Sequence, residues 1–249
     1  MQKYNITVSP DFKPDKIASW YVFNTCFQKA TELSLHLALY NDFDELRDAI
    51  REEKVDLIYA NPYDAALLVN EHGFLPLVKP VGKSDECVIV TSVDGDIHSI
   101  EDLQPESRIA TTNDPATNMI GMRMLEAADL DEGNTVAEQV VSFVVVARQV
   151  MTDKADIGFF LKEAYDELSD MIKNRLRVVA SSEISVIYHA LMVGPKLADQ
   201  REKLTQILLN MNEEGKGQAI LKDLGLNAWE EMTDEDAAFM IDLMETLRS

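Results

Sequence analysis

The stretch Lys54-Val-Asp-Leu-Ile-Tyr-Ala recurs one hundred positions later as Lys154-Ala-Asp-Ile-Gly-Phe-Phe. Helical periodicity precedes each copy, over Asp42 to Glu53 and Phe143 to Thr152, and follows each, over Pro62 to Glu71 and Lys162 to Ile172. Helix, tight turn, Asp, short apolar strand, loop, helix is half of a βαβ crossover. Met twice, it predicts two α/β lobes of similar design. Ligands of such sheets bind beyond the carboxyl ends of the strands, where loops meet helix N-termini. The repeat therefore gives a fold class and an address for a site.

At 249 residues with 46% hydrophobic content, the chain can fill two cores of ordinary size. Its longest apolar run, Val140 to Ala147, contains Ser142 and is too short to span a membrane. Met1 to Ser9 carries no charged-then-apolar signal pattern, so the chain is expected either to stay in the cytoplasm or to be exported after losing a signal. A net charge of −21 argues against nucleic acid and against anionic membrane surfaces, both of which would repel it. Cys26 and Cys87 lack zinc spacing and read as two buried free thiols, although spacing alone leaves a bridge between them open.

Alternation over Tyr4 to Ser9 predicts a first strand, and Ser-Pro-Asp-Phe-Lys-Pro a turn after it. A helix follows over Asp15 to Thr31, a strand over Leu33 to Leu39, and a helix capped at Asn41-Asp42. Strand Val55 to Ala60 runs into Asn61-Pro62, with proline in a first helical turn. Phe74 to Pro80 and Glu86 to Ser92 read as extended, Ser99 to Leu103 as a short helix and Arg108 to Thr111 as a strand. Asn113-Asp114-Pro115 opens a helix through Leu125. Val136 to Val141, Arg177 to Ala180 and Val186 to Val193 read as strands, and everything from Lys196 as helical. No linker of Gly, Ser or Pro separates the halves, so the lobes are expected to exchange strands. The expected crossings lie near Val88 to Val93 and Ile187 to Val193. That places 1–90 with 190–249 in the first lobe and 91–189 in the second.

Enzyme motifs are absent: there is no G-x-S-x-G, phosphate loop, GxGxxG or paired His at metal spacing. Polar residues at strand ends that begin helices remain, namely Asn61-Pro62-Tyr63 in the first lobe and Thr111-Thr112-Asn113 with Ala116-Thr117-Asn118 in the second. Free N–H groups at a helix start, with short hydroxyl and amide side chains, form an anion cradle without a cation. Ordinary N-capping uses the same residues. Ser9 and Tyr40, closing the first two strands, join the set, and Trp20 and Tyr21 could line its wall. Arg148 is the one arginine expected nearby.

In these elements the chain resembles the phosphate/phosphonate-type substrate-binding proteins of ABC transporters. The resemblance rests on Val55-Asp-Leu-Ile-Tyr-Ala-Asn-Pro-Tyr63, Ser99-Ile-Glu-Asp-Leu103 with Arg108-Ile-Ala, Asp114-Pro-Ala-Thr-Asn118, Lys154-Ala-Asp-Ile, Gly217 to Gly225, and Trp229 through Asp236. It implies a type II periplasmic-binding-protein-like α/β fold, each lobe a mixed sheet flanked by helices, with a helical C-terminal segment. The implied function is capture of a small oxyanion between closing lobes, for delivery to the membrane subunits of a transporter, with no cofactor, metal or catalysis. Asn61, Tyr63, Thr112, Thr117, Asn118, Ser9 and Tyr40 would hold the ligand. The chain departs from the family where the latter often has a His, here Phe143, and an aromatic hydroxyl, here near Asp85. A carboxylate facing a dianion costs binding energy, so Asp85 points away or the ligand is not a dianion. Two alternatives use the same fold: a non-exported sensor or accessory protein, and a cofactor-biosynthesis-type enzyme working through Cys87 or His189.

Overall fold

The computed structural model describes residues 3–12, 14–213 and 215–248. In chain order the elements are β1 (Lys3–Val8), α1 (Ile17–Thr31), β2 (Ser34–Leu37), α2 (Phe43–Arg51), β3 (Leu57–Ala60), α3 (Pro62–His72), β4 (Leu75–Pro80) and β5 (Cys87–Ser92). Then come β6 (Arg108–Thr111), α4 (Pro115–Leu125), β7 (Val136–Gln139), α5 (Phe143–Met151), β8 (Ile157–Leu161), α6 (Lys162–Asp166), α7 (Asp170–Lys173), β9 (Leu176–Ser181) and β10 (Ala190–Val193). The chain closes with α8 (Arg201–Asn210), α9 (Gly215–Asp223), β11 (Trp229–Glu231) and α10 (Asp234–Arg248).

The elements form two compact units. One runs to Lys83 and resumes over Tyr188–Glu245; the other is Ser84–Ile187 with the chain end from Thr246. Strand β5, which the sequence divided between lobes, pairs within the second sheet. The first unit's sheet has the order β11-β4-β10-β3-β1-β2, and the second's β7-β6-β8-β5-β9. β3 is parallel to β1 and antiparallel to β10; β8 is parallel to β6 and antiparallel to β5. The two repeated strands thus hold the same place in their sheets, where parallel pairing gives way to antiparallel.

The repeat extends to single atoms. Helices α2 and α5 have nine residues each and start one hundred positions apart. Asp42 caps the first by accepting from Glu45 N at 2.8 Å, and Ser142 the second by accepting from Val145 N at 3.4 Å. Each helix exits through a left-handed residue, Glu53 (φ 53°) and Asp153 (φ 56°). The repeated aspartates then fasten the neighbouring strand: Asp56 Oδ2 accepts from Asn5 N at 2.8 Å, and Asp156 Oδ2 from Arg108 N at 2.6 Å. Behind these strands, Phe23, Phe27, Leu57, Leu77, Leu191, Leu208 and Trp229 pack the first core. Val88, Val90, Val146, Val150 and Phe160 pack the second.

Four expectations change. The helix expected over Lys162 to Ile172 breaks into α6 and α7, because Ser169 is extended ahead of α7. The strand expected over Val186 to Val193 begins only at Ala190. Before it, Glu86 holds the chain aside, its carboxylate accepting from Ile184 N at 3.0 Å, Ser185 N at 2.6 Å and the Ser182 hydroxyl. The largely helical C-terminal segment contains one strand, β11, which pairs antiparallel with the open edge of β4. Cys26 is half-buried rather than buried, and both cysteines are free thiols. Lys13, in the turn expected after the first strand, lies outside the described residues.

Candidate ligand-binding site

The carboxyl ends of β1 and β3 bring Ser9 and Asn61 together in the first unit, both fully buried. Asn61 caps α3 by accepting from Asp64 N at 2.8 Å. Its amide nitrogen donates to Ser9 Oγ and Asp64 Oδ2, each at 2.7 Å. Arg47 on α2 donates from Nε to Asp64 Oδ1 at 2.7 Å, and its guanidinium lies 5.0 Å from the Tyr63 ring centre. Burial pushes the Asp64 carboxyl up; the hydrogen bonds from Arg47 and Asn61 offset part of this, and the charge of Asp11 adds to the rise. Asp11, in the turn after Ser9, places Oδ2 3.2 Å from His189 Nε2. The His189 ring stacks on Tyr59 at 5.3 Å.

In the second unit the loop after β6 draws Thr111, Thr112, Thr117 and Asn118 together. Asp114 caps α4, accepting from Thr117 N at 3.1 Å and from Thr117 Oγ1 at 2.9 Å. Asn118 donates to Thr112 O at 2.9 Å and also meets the Thr111 hydroxyl. The Thr117 amide, which the sequence offered to an anion, is therefore already bonded to a carboxylate. Loop and helix start are pre-ordered, with a negative charge built in.

Of the residues expected at the site, Ser9, Asn61 and Tyr63 form one group, and Thr112, Thr117 and Asn118 another. Tyr40 lies apart: its hydroxyl is pushed up by burial, and the charges acting on it are those of Lys54 and Glu52, in the turn after α2. Trp20 is core, stacked against Phe23 at 5.4 Å and Tyr59 at 5.2 Å, while Tyr21 is exposed. Arg148 is exposed on α5, and the arginine at a strand-end group is Arg47 instead. Arg47 and Asp11 escaped sequence reading. A helix register shows which face an arginine is on, but the long-range partner Asp64 is visible only in the fold. Phe143 stacks on Phe160 at 5.6 Å, and Asp85 donates its N–H to Ile187 O at 2.7 Å.

The model of the periplasmic substrate-binding protein of phosphonate ABC transporters matches residues 6–237. The chain belongs to that family. Solved structures agree on the fold of this phosphonate-family binding protein. PhnD1 from Prochlorococcus marinus, in complex with methylphosphonate, gives a TM-score of 0.82 at 12% identity, over 99% of this chain and 98% of its own. A binding protein component of an ABC phosphonate transporter from Pseudomonas aeruginosa gives 0.78 at 17% identity, over 99% and 86%. The periplasmic aliphatic sulphonate binding protein SsuA from Escherichia coli gives 0.68 at 12%, over 100% and 93%. No curated protein matches the sequence.

The family is one of periplasmic binding proteins for ABC transport and not of enzymes. The enzymatic alternative is thereby set aside, and the chemistry agrees. Cys87 is fully buried, and burial pushes its thiol up, away from the reactive thiolate. Among the described residues no group of three or more His, Cys, Asp and Glu is placed to hold a metal, and no helix is long and apolar enough to cross a membrane.

Proposed function

We propose that this chain captures a small oxyanion of the phosphonate class and hands it to the membrane subunits of an ABC transporter. Ser9, Asn61 and Tyr63 of the first unit and Thr112, Thr117 and Asn118 of the second engage the ligand. The family match over residues 6–237 carries the reading. The two strand-end groups support it, because buried hydroxyls and amides at helix starts suit an oxyanion's lone pairs. The methylphosphonate in PhnD1 supports the ligand class.

Calorimetric titration with methylphosphonate, phosphite and phosphate tests it. At least one should bind with a dissociation constant of about micromolar or tighter. Thr117→Ala combined with Asn118→Ala should weaken that binding by at least about tenfold while the protein still melts cooperatively. A screen with no bound anion would sink the reading; undiminished binding by the double variant would move the site elsewhere.

A further inference from the structure

Asp11 stands two residues beyond Ser9, in a turn closed by Phe12 N donating to Ser9 O at 3.1 Å. Its side chain is only 11% exposed. One oxygen, Oδ2, faces His189 Nε2 at 3.2 Å. The other, Oδ1, is buried and accepts no hydrogen bond among the described residues. Asp64, the other carboxylate of this group, differs: Arg47 occupies its Oδ1 and Asn61 its Oδ2. So the group keeps one buried acceptor open, and it belongs to Asp11. A buried carboxylate oxygen without a donor is costly, and a ligand bringing a donor removes that cost.

A fully ionised oxyanion brought to Ser9 and Asn61 would meet the Asp11 charge and be repelled. An oxyanion that retains a proton would instead donate it, giving a short, charge-assisted O–H···O⁻ bond. Phosphonates retain such a proton near neutral pH, since the second ionisation of phosphorus oxyacids lies at about 6 to 7. Sulfonates, as strong acids, do not.

We propose that Asp11 is a specificity residue of this binding protein, accepting the proton of a hydrogen phosphonate on its open oxygen and so excluding sulfonates. The inference rests on the oxyanion reading above and narrows it. His189 holds the second oxygen, its ring fixed by the stack on Tyr59, so that Oδ1 stays turned away from the pair. A site arranged to bond a ligand hydroxyl rejects the analogue lacking it far more strongly than a shape difference would.

The test titrates wild type and Asp11→Asn at neutral pH with methylphosphonate and methanesulfonate, which match in shape and differ in the proton. Wild type should prefer methylphosphonate by at least about 100-fold. Asp11→Asn preserves the side-chain outline but can donate to a bare oxygen, so the preference should shrink by at least about tenfold or invert. The wild-type ratio needs no variant to fold. Wild type binding both ligands within about threefold overturns the inference and leaves oxyanion capture standing. So does an unchanged preference in a cooperatively melting Asp11→Asn. Wild type binding neither ligand overturns the underlying reading, and the inference with it.

Discussion

Asp64 and Asp156 are carboxylates of similar setting whose proton affinities move in opposite directions. For Asp64 burial dominates and raises the carboxyl above its usual 3.8 despite Arg47 and Asn61. For Asp156 burial is again the largest single effect, but the Arg108 side-chain and backbone bonds together outweigh it and lower the carboxyl. The signs for stability follow by linkage. Asp156 stabilises the fold above its unfolded value of 3.8, and that contribution is lost as pH falls through its lower folded value. Asp64 behaves in reverse, favouring the fold below 3.8 and losing that advantage as pH rises through its raised value. Urea denaturation between about pH 3 and pH 7 should therefore show Asp156→Asn flattening the acid limb of the stability curve, and Asp64→Asn flattening the decline above it. An unaltered curve in either variant would remove the assigned interaction. The sequence marked Asp156 through its repeat with Asp56. It did not mark Asp64, because nothing local to Pro62-Tyr63-Asp64 announces an arginine seventeen residues earlier.

Elements were most legible where two local signals agreed. The cap at Asp42, the left-handed exit at Glu53 and the apolar strand after Val55 lie within one crossover, and all recur one hundred residues on. The exit turn carries a prediction, since Glu53 adopts φ 53° without being glycine. Glu53→Gly should raise stability by about 0.5 to 1 kcal/mol, the relief of left-handed strain exceeding the added unfolded-state entropy. A lower midpoint in urea would show that the strain is already relieved. Packing between elements is less forgiving. A Cβ on Gly121 of α4 would lie 2.6 Å from the Phe159 ring of β8. Gly121→Ala should therefore cost about 1 to 3 kcal/mol, measurable as a lower urea midpoint at unchanged slope. What sequence reading missed were elements decided at a distance. β11 exists because β4 leaves an edge open, and residues 182–187 leave the extended path because Glu86, nearly a hundred positions away, accepts their N–H groups.

At the scale of the whole molecule, the repeat predicted two α/β lobes because each copy carries a complete crossover, and two sheets of matching order are what the chain forms. The elements inserted antiparallel beside β3 and β8 were harder to place. β10 and β5 come from distant parts of the chain, and no periodicity records which sheet a strand joins. Charge acts at this scale too. With 44 acidic and 23 basic residues, the net charge is −21. Self-repulsion of that kind penalises the compact state more than the expanded one. Salt shortens its reach, from about 30 Å at 0.01 M to about 10 Å at 0.1 M. Raising sodium chloride over that range should therefore raise the melting temperature by a few degrees, equivalent to about 1 to 2 kcal/mol for a chain of this length. A ligand acts differently. A bound oxyanion stabilises by mass action, about 2.7 kcal/mol at one hundred times its dissociation constant, and does so at constant ionic strength. Methylphosphonate added as its sodium salt, with chloride reduced to match, separates the two effects. A shift that persists and grows with ligand concentration is capture; a shift that vanishes on matching is screening of the acidic surface, and oxyanion capture would then have to be abandoned.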